Sequence, residues 1–277
     1  MPDSRPIGIF DSGVGGLTVA RAVFDLLPHE PIVYVGDTAR FPYGPRPLEQ
    51  IRAFALDIAA YLVSRDVKML VVACNSVEVA AIREVTEATS IPVIGVIDPG
   101  ARAAVRATRN GRVGLIGTEA TVASGAYDRA VTAVAVGSDV ALSSRACPAF
   151  VEHVERGDTS SDELLTLARG YLLPLREEGI DTLILGCTHY PMLAGLISYV
   201  LGDEIVLVSS AEETAKDVYA TLLERDLQRA EPSAPEHEFL CTGEPEQFRS
   251  VAQHFLGPDI GGIGAAEVGL VKGVSWS

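Results

Sequence analysis

The stretch MLVVACNSVEVAAIREVTEA, residues 69–88, joins a short apolar run to a pattern of helical period, with a cysteine at the junction. Met69 to Ala73 carry no polar side chain, the mark of a strand covered on both faces. Beyond it Val77, Ala81, Val85 and Ala88 recur every three or four residues, which predicts a helix with one buried stripe. Cys74 therefore closes a strand and opens a helix, with Asn75 or Ser76 expected to cap it. Ligands of open α/β sheets bind at turns of this kind, where a helix amino end favours negative charge.

The setting recurs 113 positions downstream in LILGCTHYPML, residues 183–193. Cys187 again ends an apolar run. Met192, Leu196, Ile197 and Val200 follow at helical spacing, and Pro191 suits a first helical turn. A second pair of segments is offset almost equally. IGIFDSGVGGLTVA (7–20) and RVGLIGTEATVASGA (112–126) share a strand, a small-residue turn and a helix, with Gly8 falling 106 positions before Gly114. Any two strand-turn-helix units look alike, but the matched cysteines favour a domain-sized duplication. Two related halves would set Cys74 and Cys187 on opposite walls of one cleft.

Ile7 to Phe10, Ile32 to Val35 and Val93 to Ile97 complete a first set of predicted strands. Val113 to Gly117, the region around Val134, Leu183 to Gly186 and Ile205 to Val208 form a second. Helical patterns cover Leu48 to Leu62, Asp162 to Leu175 and Glu212 to Leu227. The expected fold is α/β with mainly parallel sheets. Arg229 to His237, polar and proline-bearing, reads as a linker or surface loop, and Gly261 to Gly264 as a flexible connection.

The 277 residues, 48% of them apolar, suffice for a buried core in one large domain or two modest ones. A formal charge of −15 argues against nucleic acid or an anionic membrane surface as partner, since both require a basic patch, and points to a small-molecule ligand. An anionic ligand would have to be held by helix ends and backbone N–H groups. Cys74, Cys147, Cys187 and Cys241 show no CxxC spacing, so no metal site is expected. No apolar run approaches the roughly 20 residues of a membrane span; the expected location is cytoplasmic, with reduced thiols.

A free cysteine is more often a core residue than a reactive one, and Cys147 and Cys241 are read that way. Cys74 and Cys187 differ because each adjoins hydrogen-bonding side chains suited to holding a ligand: Asn75 and Ser76 beside one, Thr188 and His189 beside the other. FDSGVGGLT (10–18) admits backbone N–H groups to an anion but lacks the Lys-Ser/Thr of a phosphate loop. Asp11 at its rim suits an ammonium group or a proton in transit, with a helix cap as the plainer alternative. His189 can tune a thiol or polarise a carboxylate. FPYG (41–44), alone, is a turn.

Taken in order, FDSGVGGLT, VGDTARFPYG, VACNS, GVIDPG, IGT, ACPAFVEHVERG and LGCTHYP resemble the glutamate racemase family of cofactor-independent amino-acid racemases over nearly the whole chain. The resemblance implies two α/β domains of related topology with the active site in the cleft between them, residues 1–97 plus 208–277 forming the first and 98–207 the second. It implies interconversion of L- and D-glutamate without cofactor or metal. D-glutamate so made would supply peptidoglycan, and through it cell wall biogenesis and cell shape. By the same resemblance Cys74 takes the α-proton from D-glutamate and Cys187 from L-glutamate, with Asp11, His189 and Glu155 assisting. Ser12, Tyr43, Gly44, Asn75, Ser76 and Thr188 would contact substrate, together with Asp11 and His189. The family commonly has Thr where this chain has Ser76, which keeps the hydroxyl, and often an acidic residue near Ser209. A homodimer stays open. An aspartate racemase, or a thiol-based sensor that binds glutamate without turnover, are the competing readings; mere binding needs no proton donors on two faces.

Overall fold

The computed structural model describes residues 3–230, 234–256 and 263–266. The apolar runs become β1 (Ile7–Asp11), β2 (Ile32–Gly36), β3 (Met69–Val72) and β4 (Val93–Ile94), joined by α1 (Leu17–Leu26), α2 (Leu48–Ser64) and α3 (Asn75–Glu87). After α4 (Ile97–Ala107) the scheme starts again. β5 (Arg112–Gly117), α5 (Glu119–Ala123) and α6 (Ala126–Val134) lead to β6 (Ala141–Ala146), α7 (Ala149–Glu155) and α8 (Asp162–Glu177). β7 (Thr182–Gly186), a 3-10 turn (Tyr190–Leu193), α9 (Ala194–Leu201) and β8 (Val206–Ser209) follow. α10 (Ala211–Glu224) then returns to pack on α1, ahead of β9 (Glu238–Cys241), α11 (Pro245–Leu256) and β10 (Ile263–Ala265).

All pairings are parallel, and the strand orders are β10-β9-β2-β1-β3-β4 in one sheet and β6-β5-β7-β8 in the other. Laid over one another, β2-β1-β3-β4 and β6-β5-β7-β8 correspond strand for strand, with β9 and β10 added outside β2. The repeat read from sequence offsets is therefore present as topology, and each cysteine follows the same strand of its half. In both halves the chain steps to one side of the first strand and then to the other, which opens a crevice at the carboxyl ends of β1 with β3 and of β5 with β7.

Alternation along the strands places the core. Ile7, Ile9, Met69 and Val71 pack with Val23 of α1 and with Val218 and Leu222 of α10 on one face. Phe10, Val33, Leu70 and Val72 pack with Ile51 and Ile58 of α2 and Val77 of α3 on the other. Both faces of the sheet are covered, as the unbroken apolar runs require.

Several expectations are corrected. Val134 ends a helix: Tyr127, Ala130 and Val131 form a buried stripe at helical spacing, which outweighs the β-branched run around them. The strand missing from that region is β6, a polar edge strand with no apolar signal. β4 stops at Ile94, and Ile97 already begins α4. Cys74 itself occupies the N-cap of α3, so Asn75 and Ser76 are its first helical residues and their side chains bond elsewhere. Ile263–Ala265 pair with β9 instead of forming a loose connection, because they complete the open edge of the sheet; Gly261, Gly262 and residues 231–233 of the expected linker lie outside the described residues. Among the described residues no helix is long and apolar enough to cross a membrane.

Candidate active site

β1 ends on Asp11, β3 leads into Cys74, β5 into Thr118 and β7 into Cys187, so four strand ends, two from each sheet, deliver side chains to one crevice. It holds a cavity of about 130 Å³ lined by Ser12, residues 41–45, Cys74 to Ser76, Thr118, Glu119, Pro148, Val151, Glu152 and Cys187 to His189. Cys74 is 6% and Cys187 7% exposed, so neither thiol is sealed in the core and both face the same space. Among the described residues, no Lys or Arg lines it.

On one wall the Cys74 thiol donates to Ser12 Oγ at 3.6 Å. Burial raises its pKa, and the nearby Asp11 carboxylate raises it further, so Cys74 is held as a neutral thiol. Asp11 is completely buried. Burial raises its carboxyl pKa too, against the pull of His189 and of hydrogen bonds from the Gly13 N–H (2.8 Å) and the Thr188 hydroxyl (3.0 Å). It is not the cap of α1, where Gly16 holds that position. Instead Asp11 ties the loop after β1 to the turn after β7, across the crevice.

The other wall sets an imidazole, and no carboxylate, beside its sulfur. His189 Nδ1 lies 3.8 Å from Cys187 Sγ, and Nε2 lies 2.6 Å from Glu155 Oε1. With an acceptor on each ring nitrogen, a doubly protonated imidazole fits best. Burial opposes that cation, but the sulfur and the Glu155 carboxylate outweigh it, and the His189 pKa stands well above its ordinary value. Glu155 is thus an indirect member of the site, reaching the cavity through His189. The approach is close: a Cβ on Gly15 would sit 2.5 Å from both His189 Nδ1 and Thr188 Oγ1, so only glycine lets the first loop pass this wall.

Polar groups between the walls have unused capacity. Asn75 Oδ1 accepts from the Tyr127 hydroxyl at 2.8 Å, leaving its Nδ2 buried and without a partner among the described residues. Ser76 Oγ and Thr118 Oγ1 share a hydrogen bond of 2.9 Å across the crevice, and Thr118 continues to Thr121 Oγ1 at 2.9 Å. Tyr43 donates to the buried Asp37, which also accepts from Arg40 Nε at 2.6 Å and Thr242 Oγ1 at 2.6 Å. That knot anchors the 41–45 loop, with Gly44 in it, to the ends of β2 and β9. The eleven residues expected from sequence all either line the cavity or bond to a residue that does. Thr118 and Asp37 were missed; Thr118 follows β5 as Ser12 follows β1, a correspondence the repeat contained, and Asp37 stands at the head of the DTARFPYG piece.

The family model described as Asp/Glu/Hydantoin racemase matches residues 17–218. A glutamate racemase of Acidothermus cellulolyticus is 56% identical over 259 residues, covering 93% of this chain and 97% of its own. Among solved structures, a glutamate racemase isoform from Bacillus anthracis superposes with a TM-score of 0.89 at 41% identity, covering 96% of this chain and 98% of its own. The glutamate racemase of Francisella tularensis, solved in complex with D-glutamate, gives 0.87 at 35% identity over 95% of this chain and 97% of its own. With sequence and architecture agreeing almost end to end, the chain belongs to the Asp/Glu/hydantoin racemase family and, within it, to the glutamate racemases, isomerases that act on an amino acid.

Proposed function

We propose that the protein interconverts L- and D-glutamate by a two-base mechanism in which Cys187 and Cys74 work from opposite faces of the α-carbon. The observation that carries this reading is the unequal preparation of two thiols lining one cavity: Cys74 beside a carboxylate and kept neutral, Cys187 beside an imidazolium. Inversion needs that inequality, because one sulfur must begin as thiolate and the other as thiol.

L-glutamate enters with its α-carboxylate toward Asn75 Nδ2 and the backbone N–H groups that open α3, and its ammonium toward Asp11 and Thr188. Ser12, Tyr43, Gly44, Ser76 and His189 complete the contacts. Donors of this kind suit a wall without Lys or Arg, and they lie where negative charge grows as the α-proton leaves. Cys187 thiolate takes that proton; the Cys74 thiol gives its own to the opposite face, and D-glutamate results. Cys187 then holds the proton and Cys74 the negative charge, which is the form that accepts D-glutamate for the reverse reaction. The scheme uses no cofactor. His189 with Glu155, and Asp11, steady the charge on their nearer sulfur.

We take the two bodies as residues 1–97 plus 208–277 and residues 98–207. The two sheets support a division of this kind, with crossings at the β4–α4 connection and after β8, which runs to Ser209, past the bound at 208. Purified protein given L-glutamate in deuterium oxide, with nothing added, should produce D-glutamate bearing solvent deuterium at the α-carbon, as read by circular dichroism and proton NMR. Retention of the original hydrogen in the product rules the scheme out, and turnover of aspartate alone would make the protein an aspartate racemase. The reading further assigns the enzyme to the cytoplasm as the source of D-glutamate for peptidoglycan. Cells depleted of it should stop growing unless D-glutamate is supplied, and unimpaired growth without the supplement would remove that role.

A further inference from the structure

Glu78 belongs to neither wall of the cavity, yet it is buried and its carboxylate is spent on two backbone donors. It lies in the first turn of α3, four residues beyond Cys74, with only 8% of its surface exposed. Its Oε2 accepts the backbone N–H groups of Val96 and of Ile97, the latter at 3.0 Å. Those two peptides carry the chain from β4 into α4, and α4 packs against β7, β8 and α6 of the second sheet. β7 is the strand that presents Cys187.

Two features show that the contact is built in. The N-cap residue of α4, Val96, offers no side-chain acceptor, so Glu78 supplies the cap from another helix. Gly95 leaves the space the carboxylate occupies, since a Cβ there would fall 2.3 Å from it. The arrangement is also costly. Burial raises the Glu78 carboxyl to about 7 despite both N–H donors, where a capping hydroxyl would have served at less expense.

We propose that Glu78 is a positioning residue for the racemisation: its carboxylate straps the helix that begins at Cys74 to the crossing peptide that leads into the other half, and so sets the spacing of the two thiols. The proposal rests on the two-thiol reading of the site. Once the strap is cut, α3 and α4 shift relative to each other, and the thiols no longer sit on either side of one carbon.

Glu78→Ala, Glu78→Gln and Gly95→Ala test it through kcat, KM, melting temperature and hydrogen exchange of the peptide spanning residues 93–100. Glu78→Ala is expected to lower kcat on the order of 10- to 100-fold while the folded fraction at assay temperature stays complete. Gln, which keeps an acceptor oxygen, should recover most of that loss. Gly95→Ala should mimic Glu78→Ala by pushing the carboxylate aside, yet add little in the double variant. Amide exchange at Val96 and Ile97 should rise in Glu78→Ala and in Gly95→Ala while β1 keeps its protection. If Glu78→Ala fails to fold, Gly95→Ala and Glu78→Gln carry the same comparison. A lower melting temperature with unchanged kcat, unchanged exchange at residues 96 and 97, or strictly additive losses in the double variant would overturn the strap. Absence of glutamate turnover in the unmodified protein would instead defeat the reading of the site, and the exchange comparison would still judge the strap.

Discussion

Replacing either Cys74 or Cys187 with Ala lowers kcat for racemisation by about 10²–10⁴-fold, the range that one positioned acid or base contributes. Each sulfur lines the cavity on its own wall, and His189 and Asp11 point their charge at sulfur or at neighbouring N–H and O–H groups. Neither can stand in without moving. The two enantiomers have equal free energy in water, so kcat/KM must fall equally in both directions whichever wall is altered; a difference between walls appears only in partial reactions. Cys74→Ala keeps the base that faces L-glutamate and should exchange its α-hydrogen with solvent deuterium without inversion, while Cys187→Ala should do so with D-glutamate. Stability should change little, because each thiol faces the cavity and its removal opens no closed void. Substantial turnover in either variant, or exchange of both enantiomers by both, removes the two-base scheme.

What the sequence revealed of this site and what it concealed divide along physical lines. β1, β2, β3 and β7 were legible because strands covered on both faces cannot hide their apolar runs. β6 was not. It is an edge strand, partly exposed along its length, and Ser143, Ser144 and Arg145 carry no pattern that separates it from a loop. Val131, Thr132 and Val134, which end α6, imitate a strand, since a helix of nine residues with β-branched side chains at its end and a strand look alike locally. Cys74 and Cys187 were legible as strand-to-helix turns in a repeat; their unequal surroundings were not, because the His189 ring beside Cys187 is held by Glu155, 34 positions earlier. The contact of Thr188 with Asp11 spans 177 positions and follows only from the two halves meeting. Even so, the nearly equal offsets of glycine and cysteine pairs anticipated that meeting, and the matching strand orders give the reason.

The largest effect on stability is expected far from the chemistry, at Lys68. Its ammonium is completely buried before the start of β3, paired with the buried Glu30 and donating to the carbonyls of Asp3 and Leu227, each at 2.8 Å. Glu30 in turn accepts the Arg229 N–H at 2.9 Å. The pair therefore joins the amino-terminal segment, the α1–β2 connection and the segment after α10 at the amino end of the first sheet. Lys68→Met keeps most of the volume but strands the Glu30 carboxylate without a counterion, and breaking a buried pair in this way costs about 3–5 kcal/mol. Lys68→Met with Glu30→Gln leaves no stranded charge and should recover a large part of the loss, because two charges withdrawn from water gain little net stability over neutral groups that pack as well. Urea unfolding measures both variants. Below the transition, Lys68→Met should retain its kcat, since Lys68 precedes β3 and Cys74 follows it, at opposite ends of the same strand. A Lys68→Met protein as stable as the parent would mean that Glu30 finds water or another donor when the ammonium is gone. A double variant no better than the single one would place the stabilisation in the two carbonyl contacts, and not in the charge pair.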